Sequence, residues 1–450
     1  MGVIFWFRQD LRLHDQAALR LAIHQAKQSG SWLLPVYVHE PLLQAPTRWG
    51  FGRIGASRQA WLGATLAALS ADLKALGSDL LQCVGEPAVV LADWVQRLGA
   101  TSLVCEEIAA PEERQAVERL RQCGVVVHTV WQSTLINPSD LPFEPEQMPD
   151  TFTVFRQALE RAKVQARPPL ATVRSVPALP NLNGLCTMAS ALPAAALPTE
   201  PRSAFPCFLP EFQAGEAAAL LHLQRYCERK LPHTYKATRN QLLGAEYSSK
   251  WSPWLALGAL SPRQAWAVIQ EFEQEHGAND GTYWLWFELL WRDYFRFLHC
   301  KYGVRLYHAQ GLSKLSVPQH DTERFQHWCA GKTGQPWIDA GMRELAATGY
   351  LSNRMRQNVA SYLIHDLQCD WRAGAAWFEA QLLDFDVYSN QGNWLYLSGR
   401  GTDPRGSRRF NPDKQAHDYD AQGAYRRVWG SLERNKITLK TAVEATSSSF

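Results

Sequence analysis

Signatures of metal and disulfide chemistry are missing from this sequence. The nine cysteines lie far apart with no C-x-x-C, which argues against a zinc ribbon, an iron–sulphur ligand run or a secreted disulfide scaffold and fits reduced thiols in a cytoplasmic protein. The 13 histidines form no H-E-x-x-H or related spacing, so no metal site is expected. No run approaches the roughly 18 apolar residues of a membrane span, and no apolar leader with a basic flank precedes the first strand-like run. A soluble, unexported chain with no membrane partner is therefore expected. An excess of one charge is absent too: the net charge is +3 over 450 residues, so a nucleic-acid surface would have to come from local clustering.

What the chain does have is length and tryptophan. At 450 residues it exceeds the size at which a single core stops growing, and two domains are expected. Its 18 tryptophans equal its phenylalanines in number, which suits packing, base stacking or electron traffic. Residues 1–130 alternate β-rich runs (Val3 to Phe7, Leu33 to Val38, Leu80 to Val84, Ser102 to Glu106, Val125 to Val130) with helical patterns (Asp15 to Ser29, Ser57 to Gly77, Pro87 to Leu98, Pro111 to Cys123). Two of these helices open on proline, and Ser57 reads as an N-cap. Strand and helix alternating in this way predict an α/β domain with a Rossmann-like parallel sheet. Residues 131–210 hold 13 of the 25 prolines and read as an interdomain linker. From 211 to 430 the segments are long and helical in period, predicting an all-helical domain, with 431–450 a short tail.

Two glycine motifs mislead. Gly50 to Gly55 fits G-x-G-x-x-G, but it follows the second strand after a proline-containing loop instead of closing the first strand tightly. Gly331-Lys332-Thr333 lacks the earlier glycine of a phosphate loop, since Gln326 stands there.

Four stretches could carry chemistry. Y-S-S-K-W-S, from Tyr247 to Ser252, sets three hydroxyls and a lysine before a Pro-initiated helix, which suits a phosphate cradle assisted by the helix dipole; a plain cap with solvated serines is the alternative. On the helical run Trp284 to Arg296, Glu288, Trp291, Arg292 and Phe295 share a face, either a site or a packing surface with a salt bridge. Asn353, Arg354, Arg356 and Gln357 crowd the first turns of another helix, suited to base edges, phosphates or a buried carboxylate. Arg400, Arg405, Arg408 and Arg409 fall in a Gly-rich loop, a local basic patch or a solvated loop. Two carboxylates, Asp384 and Asp386, sit in L-L-D-F-D-V-Y, where ionised groups are costly unless paired.

The runs V-I-F-W-F-R-Q-D-L-R-L-H-D, Y-S-S-K-W-S-P-W-L-A-L-G, F-E-L-L-W-R-D-Y-F-R-F, T-G-Y-L-S-N-R-M-R-Q-N-V-A-S-Y-L and D-P-R-G-S-R-R-F-N-P, in this order, resemble the photolyase and cryptochrome family, specifically its cryptochrome DASH branch, over nearly the whole chain to about Trp429. The resemblance implies an N-terminal antenna domain and a helical domain holding FAD. It implies that Ser248, Ser249, Lys250 and Ser252, with Trp251 in the same run and Tyr235 nearby, hold the pyrophosphate region. Arg356 would pair with Asp384, Asp386 would accept hydrogen bonds from the flavin or adenine edge, and Asn390 would face flavin N5. Such an enzyme uses blue light to pass an electron from FADH⁻ to a cyclobutane pyrimidine dimer, flipped out and stacked beside the flavin.

By the same resemblance Glu288, Trp291 and Asn353 contact the lesion, Arg292 lines the cavity, and Arg239, Arg354 and Arg408 bind phosphates. Trp394 and Trp371 belong to a tryptophan chain that reduces the flavin; the third position is Pro318, for which Trp328 is one of several substitutes. Tyr396 in place of a stacking Trp and Gln357 in place of a Met, as in the DASH branch, imply weaker stacking and a preference for single-stranded or looped DNA. Glu113 aligns with a contact to the antenna 5,10-methenyltetrahydrofolate, a solvated helix start being the alternative. A monomer is expected. Rival readings are a blue-light photoreceptor signalling through flavin redox change, against which the short stretch after the helical domain speaks, and nucleic-acid binding without catalysis.

Overall fold

The computed structural model describes residues 2–182 and 196–430. The N-terminal unit contains β1 (Gly2–Phe7), α1 (Ala17–Gln28), β2 (Leu33–His39), α2 (Ala56–Ala75), β3 (Leu81–Val84), α3 (Pro87–Leu98), β4 (Ala100–Glu106), α4 (Pro111–Gln122) and β5 (Val127–Val130). Its sheet runs β3-β2-β1-β4-β5, with every neighbouring pair parallel. All six residues of β1 are buried, as a central parallel strand covered on both faces requires. Val3, Phe5 and Phe7 pack with Leu19 of α1 and Leu66 and Leu69 of α2. Ile4 and Trp6, on the opposite face, pack with Leu91 and Trp94 of α3 and Leu120 of α4. This is the doubly covered sheet that the strand–helix alternation predicted. One cap differs: α2 begins after Gly55, and Ser57 lies inside the helix. Gly55 is needed there because a Cβ would come 2.8 Å from the Ala380 carbonyl oxygen, which its own N–H reaches at 2.8 Å.

The segment read as a linker carries α5 (Phe152–Arg161), whose Phe152, Phe155 and Leu159 are buried in the core of the helical unit. Leu135 and Ile136 donate their backbone N–H groups to the buried Asp293 carboxylate at 2.9 and 2.8 Å, so this stretch is packed against that unit along much of its length. Most of the low-complexity run, and the tail 431–450, lie outside the described residues.

The helical unit comprises α6 (Glu216–Glu228), α7 (Leu231–Thr238), α8 (Ser252–Leu257), α9 (Pro262–His276), α10 (Asp280–Tyr302), α11 (Thr322–Cys329), α12 (Pro336–Thr348), α13 (Asn353–His365), α14 (Trp371–Gln381), α15 (Val387–Ser398), α16 (Pro412–Tyr419) and α17 (Ala424–Trp429). Buried charges dock the two units. Asp15 accepts from Arg263 at 2.6 Å, from Ser261 at 2.5 Å and from the Leu170 N–H at 2.9 Å. Glu216, at the start of α6, accepts from the Leu13 and His14 N–H groups at 2.8 and 3.1 Å. Among the described residues no helix is long and apolar enough to cross a membrane, and no cluster of side chains could hold a metal ion.

Candidate functional site

A cavity of about 410 Å³ opens between α7, α8, α10, α13 and the start of α15. Such a volume is in the range of small-molecule and cofactor sites. The sequence-predicted residues converge on it: Tyr235 and Arg239 from the end of α7, Ser248 to Ser252 from the loop into α8, and Glu288, Trp291, Arg292 and Phe295 from one face of α10. Asn353, Arg354, Arg356 and Gln357 enter from the first turn of α13, and Asp384, Asp386 and Tyr396 close the ring. A smaller cavity of about 90 Å³ shares Asn353, Arg356, Gln357, Asp384 and Asp386 and adds Asn390 and Trp394.

The phosphate-cradle loop is shaped by its lysine. Lys250 has φ +58°, a left-handed conformation costing about 1–3 kcal/mol outside glycine and retained only where surroundings over-determine it. His222 Nε2 bonds the Ser249 carbonyl at 2.8 Å and fixes the loop from behind. The Lys250 ammonium is buried, 3.2 Å from the centre of the Tyr247 ring, with no hydrogen-bond partner. Burial pushes its pKa well down, with Glu344 opposing. Tyr247 Oη, Trp251 Nε1 and Asp384 Oδ1 are likewise buried without partners. Buried polar groups are seldom left unpaired, so these donors and this acceptor define a site for a polar, anionic ligand. The helix behind the loop, α8, has only six residues, so the side chains and not a long helix dipole carry the attraction.

The two aspartates find arginines. Arg356 Nη2 donates to Asp384 at 2.8 Å while its Nε holds the Leu351 carbonyl at 2.8 Å. Asp386 caps α15 through the Ser389 N–H at 2.7 Å and pairs with Arg296, a partner the sequence reading missed. Arg296 stands on α10 one turn beyond Arg292, the only local signal that could have pointed to it. Burial would raise the Asp386 pKa, yet Arg296 and Arg292 outweigh it and hold the carboxyl down at about 2. Arg292 is pushed down to about 9 by burial and by Arg296; its guanidinium bonds the Ser133 and Leu255 carbonyls.

The outer part of the cavity is aromatic and polar. Trp291 stacks on Phe152 with ring centres 3.8 Å apart and meets Tyr396 at 6.3 Å. Burial pushes the Glu288 carboxyl up, and Arg239 Nη1 binds it at 2.5 Å. Arg239, expected on a phosphate, is thus engaged by Glu288. Arg354 bonds Asn240 at 3.0 Å and Gln357 at 3.1 Å and lies over the Tyr419 ring.

The four arginines of the expected basic patch meet two carboxylates, so positive charge remains in excess: Asp403 binds Arg405 at 2.9 Å and Arg408 at 3.1 Å, Arg409 pairs with Asp366 at 2.7 Å, and Arg400 bonds the Ser316 carbonyl. Arg408 lies outside both cavities, with its guanidinium 5.4 Å over Tyr396.

Asn390 donates its Nδ2 to the Ala375 carbonyl at 3.0 Å, which fixes the orientation of its amide. Trp394 is buried and packs on Gly374, and Trp371 is buried with Nε1 on the Ala309 carbonyl at 3.1 Å. In the N-terminal unit Glu113 is half-buried and its carboxyl is pushed up by burial, whereas Glu112 points outward to Arg53 at 2.7 Å.

A covered parallel sheet docked on a helical unit with this cavity defines a photolyase-type protein. The family model "DNA photolyase" matches residues 3–174, and "FAD binding domain of DNA photolyase" matches residues 284–440. Cryptochrome DASH of Synechocystis is 42% identical over 95% of this chain and 87% of its own length, and that of Danio rerio is 43% identical over 95% and 82%. The crystal structure of Synechocystis cryptochrome superposes with a TM-score of 0.86 at 41% identity, covering 95% of this chain and 88% of that one. A bacterial class III photolyase from Agrobacterium tumefaciens superposes at 0.76 with 30% identity, covering 95% and 86%. The chain belongs to the photolyase and cryptochrome family, in its cryptochrome DASH branch.

Proposed function

We propose that this protein uses blue light to split cyclobutane pyrimidine dimers in DNA, with single-stranded or looped DNA as its preferred substrate and FAD in the larger cavity. The observation that carries this reading is the buried, unpartnered Lys250 ammonium beside the Arg356–Asp384 pair, a cradle for an anionic cofactor, opening outward onto Trp291 and Tyr396. When bound, reduced FAD supplies an electron to the dimer and takes it back after the ring opens.

The residues of the chain do the rest. Lys250, Ser248, Ser249 and Ser252 hold the diphosphate, and Asp386 and Asn390 orient the flavin end. Glu288 and Asn353 hydrogen-bond the lesion while Trp291 and Tyr396 stack its flipped-out bases. The aromatic walls exclude water from the reacting centre. A tyrosine at 396 offers a smaller stacking surface than an indole, leaving less binding energy to offset unpairing a duplex. Arg354 and Arg408 meet backbone phosphates, each exchanging a neutral or acidic neighbour for the strand. A folate antenna beside Glu113, and action as a monomer, complete the proposal.

The test is light-dependent loss of thymine dimers from single-stranded and matched duplex oligonucleotides by the FAD-loaded, reduced protein, with a dark control. Repair of the single strand in excess of the duplex is expected. Equal repair of both removes the strand preference. No repair by flavin-loaded protein that binds the oligonucleotide transfers the assignment to a blue-light photoreceptor.

A further inference from the structure

Another cavity, of about 190 Å³, lies against the largest one, between α10, α15, the start of α5 and the loop 401–405. The two share Trp291, Phe295 and Tyr396, so the wall between them is one layer of rings thick. The proposed repair chemistry does not use this space. Its volume is below the roughly 300–1,000 Å³ of sites for drug-sized ligands and suits a single ring system. Phe152 and Tyr294 add two more rings, and Leu298, Leu306 and Leu395 complete an apolar lining. Gly392 lets α15 press on α10 here, since a Cβ would come 2.1 Å from the Phe295 ring.

The rim, by contrast, is polar. Thr402 Oγ1 and Tyr294 Oη lie 2.8 Å apart, and Asp403 and Arg405 stand at the same opening. Thr151, at the N-cap of α5, makes no capping bond, which leaves its hydroxyl open to a ligand. Arg405 holds Asp403 through Nε and Nη2 at 3.0 and 2.9 Å, and its side chain is 68% exposed. Its Nη1 makes no bond among the described residues. Arg408 shares that one carboxylate, so a positive charge remains in excess at the mouth. An aliphatic ligand would leave these donors and acceptors unmatched. A planar heteroaromatic ring, apolar on its faces and hydrogen-bonding at its edge, with an anionic group outside, matches the walls and the rim together.

We infer that this cavity receives one undamaged nucleobase, purine ahead of pyrimidine, from the strand that carries the lesion, with the phosphate of that nucleotide on Arg405. The inference rests on the DNA reading above and adds a second base site to it. A strand whose dimer enters on one side of the Trp291 and Tyr396 wall passes Arg408 and Arg405 and turns a further base in on the other side. Purines come first because their larger rings stack more strongly. A base still paired in a duplex enters only after another pair is opened, so the site favours single strands independently of the stacking on Tyr396.

The test measures dark binding and light-driven repair by the full-length, FAD-loaded protein and by T153W and L312W, which put an indole into the cavity from two sides. Thr153 is exposed, Leu312 is half-buried, and neither lines the larger cavity. Single-stranded oligonucleotides carry a thymine dimer and, in turn, an abasic analogue at each of the two nearest positions on either side. Removing the base at one of these positions should weaken wild-type binding by about 5-fold to 100-fold. In either variant the same removal should cost less than about 2-fold, because the base has no cavity left to lose. Adenine at that position should bind more tightly than cytosine. Repair of an isolated thymine-dimer dinucleotide, which has no neighbouring base, should be equal in all three proteins. Abasic losses that are the same in wild type and variants, or absent at all four positions, overturn the second base site, while dinucleotide repair keeps the DNA reading. Loss of dinucleotide repair in flavin-retaining variants places their effect in the lesion cavity and overturns it as well. Binding of free deoxyadenosine monophosphate that both variants abolish, with no abasic loss in the strand, replaces the strand by a free nucleotide as the occupant. A wild-type protein that neither binds nor repairs any dimer overturns the DNA reading and the base site with it. Where one variant sheds flavin, the abasic series in the other decides.

Discussion

Arg296 and Asp386 form an ion pair with both side chains almost wholly out of water, 2% and 7% exposed. The arginine comes from the middle of α10 and the aspartate from the cap of α15, so the pair ties together the two helices that flank the site.

Breaking this pair from one side leaves a buried charge unmatched. R296M and D386N should each cost about 3–5 kcal/mol, read as the loss of denaturant midpoint, with D386N also lowering retained FAD. Because the folded-state value of Asp386, about 2, lies below the ordinary 3.8, its contribution is fully present above about pH 4. It fades as pH falls towards 2, amounting to about 2 kcal/mol in all. D386N should therefore show a shallower acid limb in a melting-temperature series than the wild type.

Glu344 gives the opposite pH response. Burial pushes its carboxyl from 4.5 up to about 8, against the Tyr425 hydroxyl, Lys250 and Arg356. With the folded value above the unfolded one, the stabilisation is complete below about pH 4.5 and is lost as pH rises through about 8. Thermal denaturation of the flavin-free protein should show a declining melting temperature between these limits, and E344Q should flatten that decline.

Lys250 separates ligand binding from folding. A buried ammonium with no partner costs the flavin-free protein stability, so K250M should melt no lower than the wild type without ligand. The same variant loses a charge-assisted contact worth about 1.5–3 kcal/mol, so its FAD affinity by fluorescence titration should fall about 10-fold to 100-fold. A parallel fall in ligand-free stability would show the lysine to be structural.

Tyr396 tests the strand preference. Y396W enlarges the stacking surface facing Trp291 and should improve duplex repair by about 0.5–1.5 kcal/mol of binding, roughly 2-fold to 10-fold, narrowing the gap between single and double strands. Competitive repair of the two substrates in one tube measures the ratio directly.

Much of this architecture could be read from the chain. The central strands β1 and β2 are short, largely apolar runs, and two of the helices between the strands open on proline. The convergence of Glu288, Trp291, Arg292 and Phe295 followed from helical spacing, and all four line the cavity. What could not be read depends on distant partners. Arg296 meets an aspartate 90 positions away, and nothing local distinguishes it from a solvated arginine. That Asp403 is shared by two of the loop arginines could not be read either, because it makes its contacts through a turn whose geometry the sequence leaves open. The helix α5 escaped notice because its apolar face of Phe152, Phe155 and Leu159 is only ten residues long and stands among prolines.

That short helix has a mechanical consequence. Phe152 lies flat on the face of Trp291, so the indole is held from behind by a helix of the connecting stretch that is built into the core of the helical unit. A ring so held is restrained from swinging aside, and one side of the cavity mouth is fixed in advance of any ligand. Facing it, Tyr396 packs against the core of the helical unit and carries the Arg408 guanidinium 5.4 Å over its ring. Differences in grip between members of this branch would then arise in the stretch of chain joining the two halves as much as in the pocket itself.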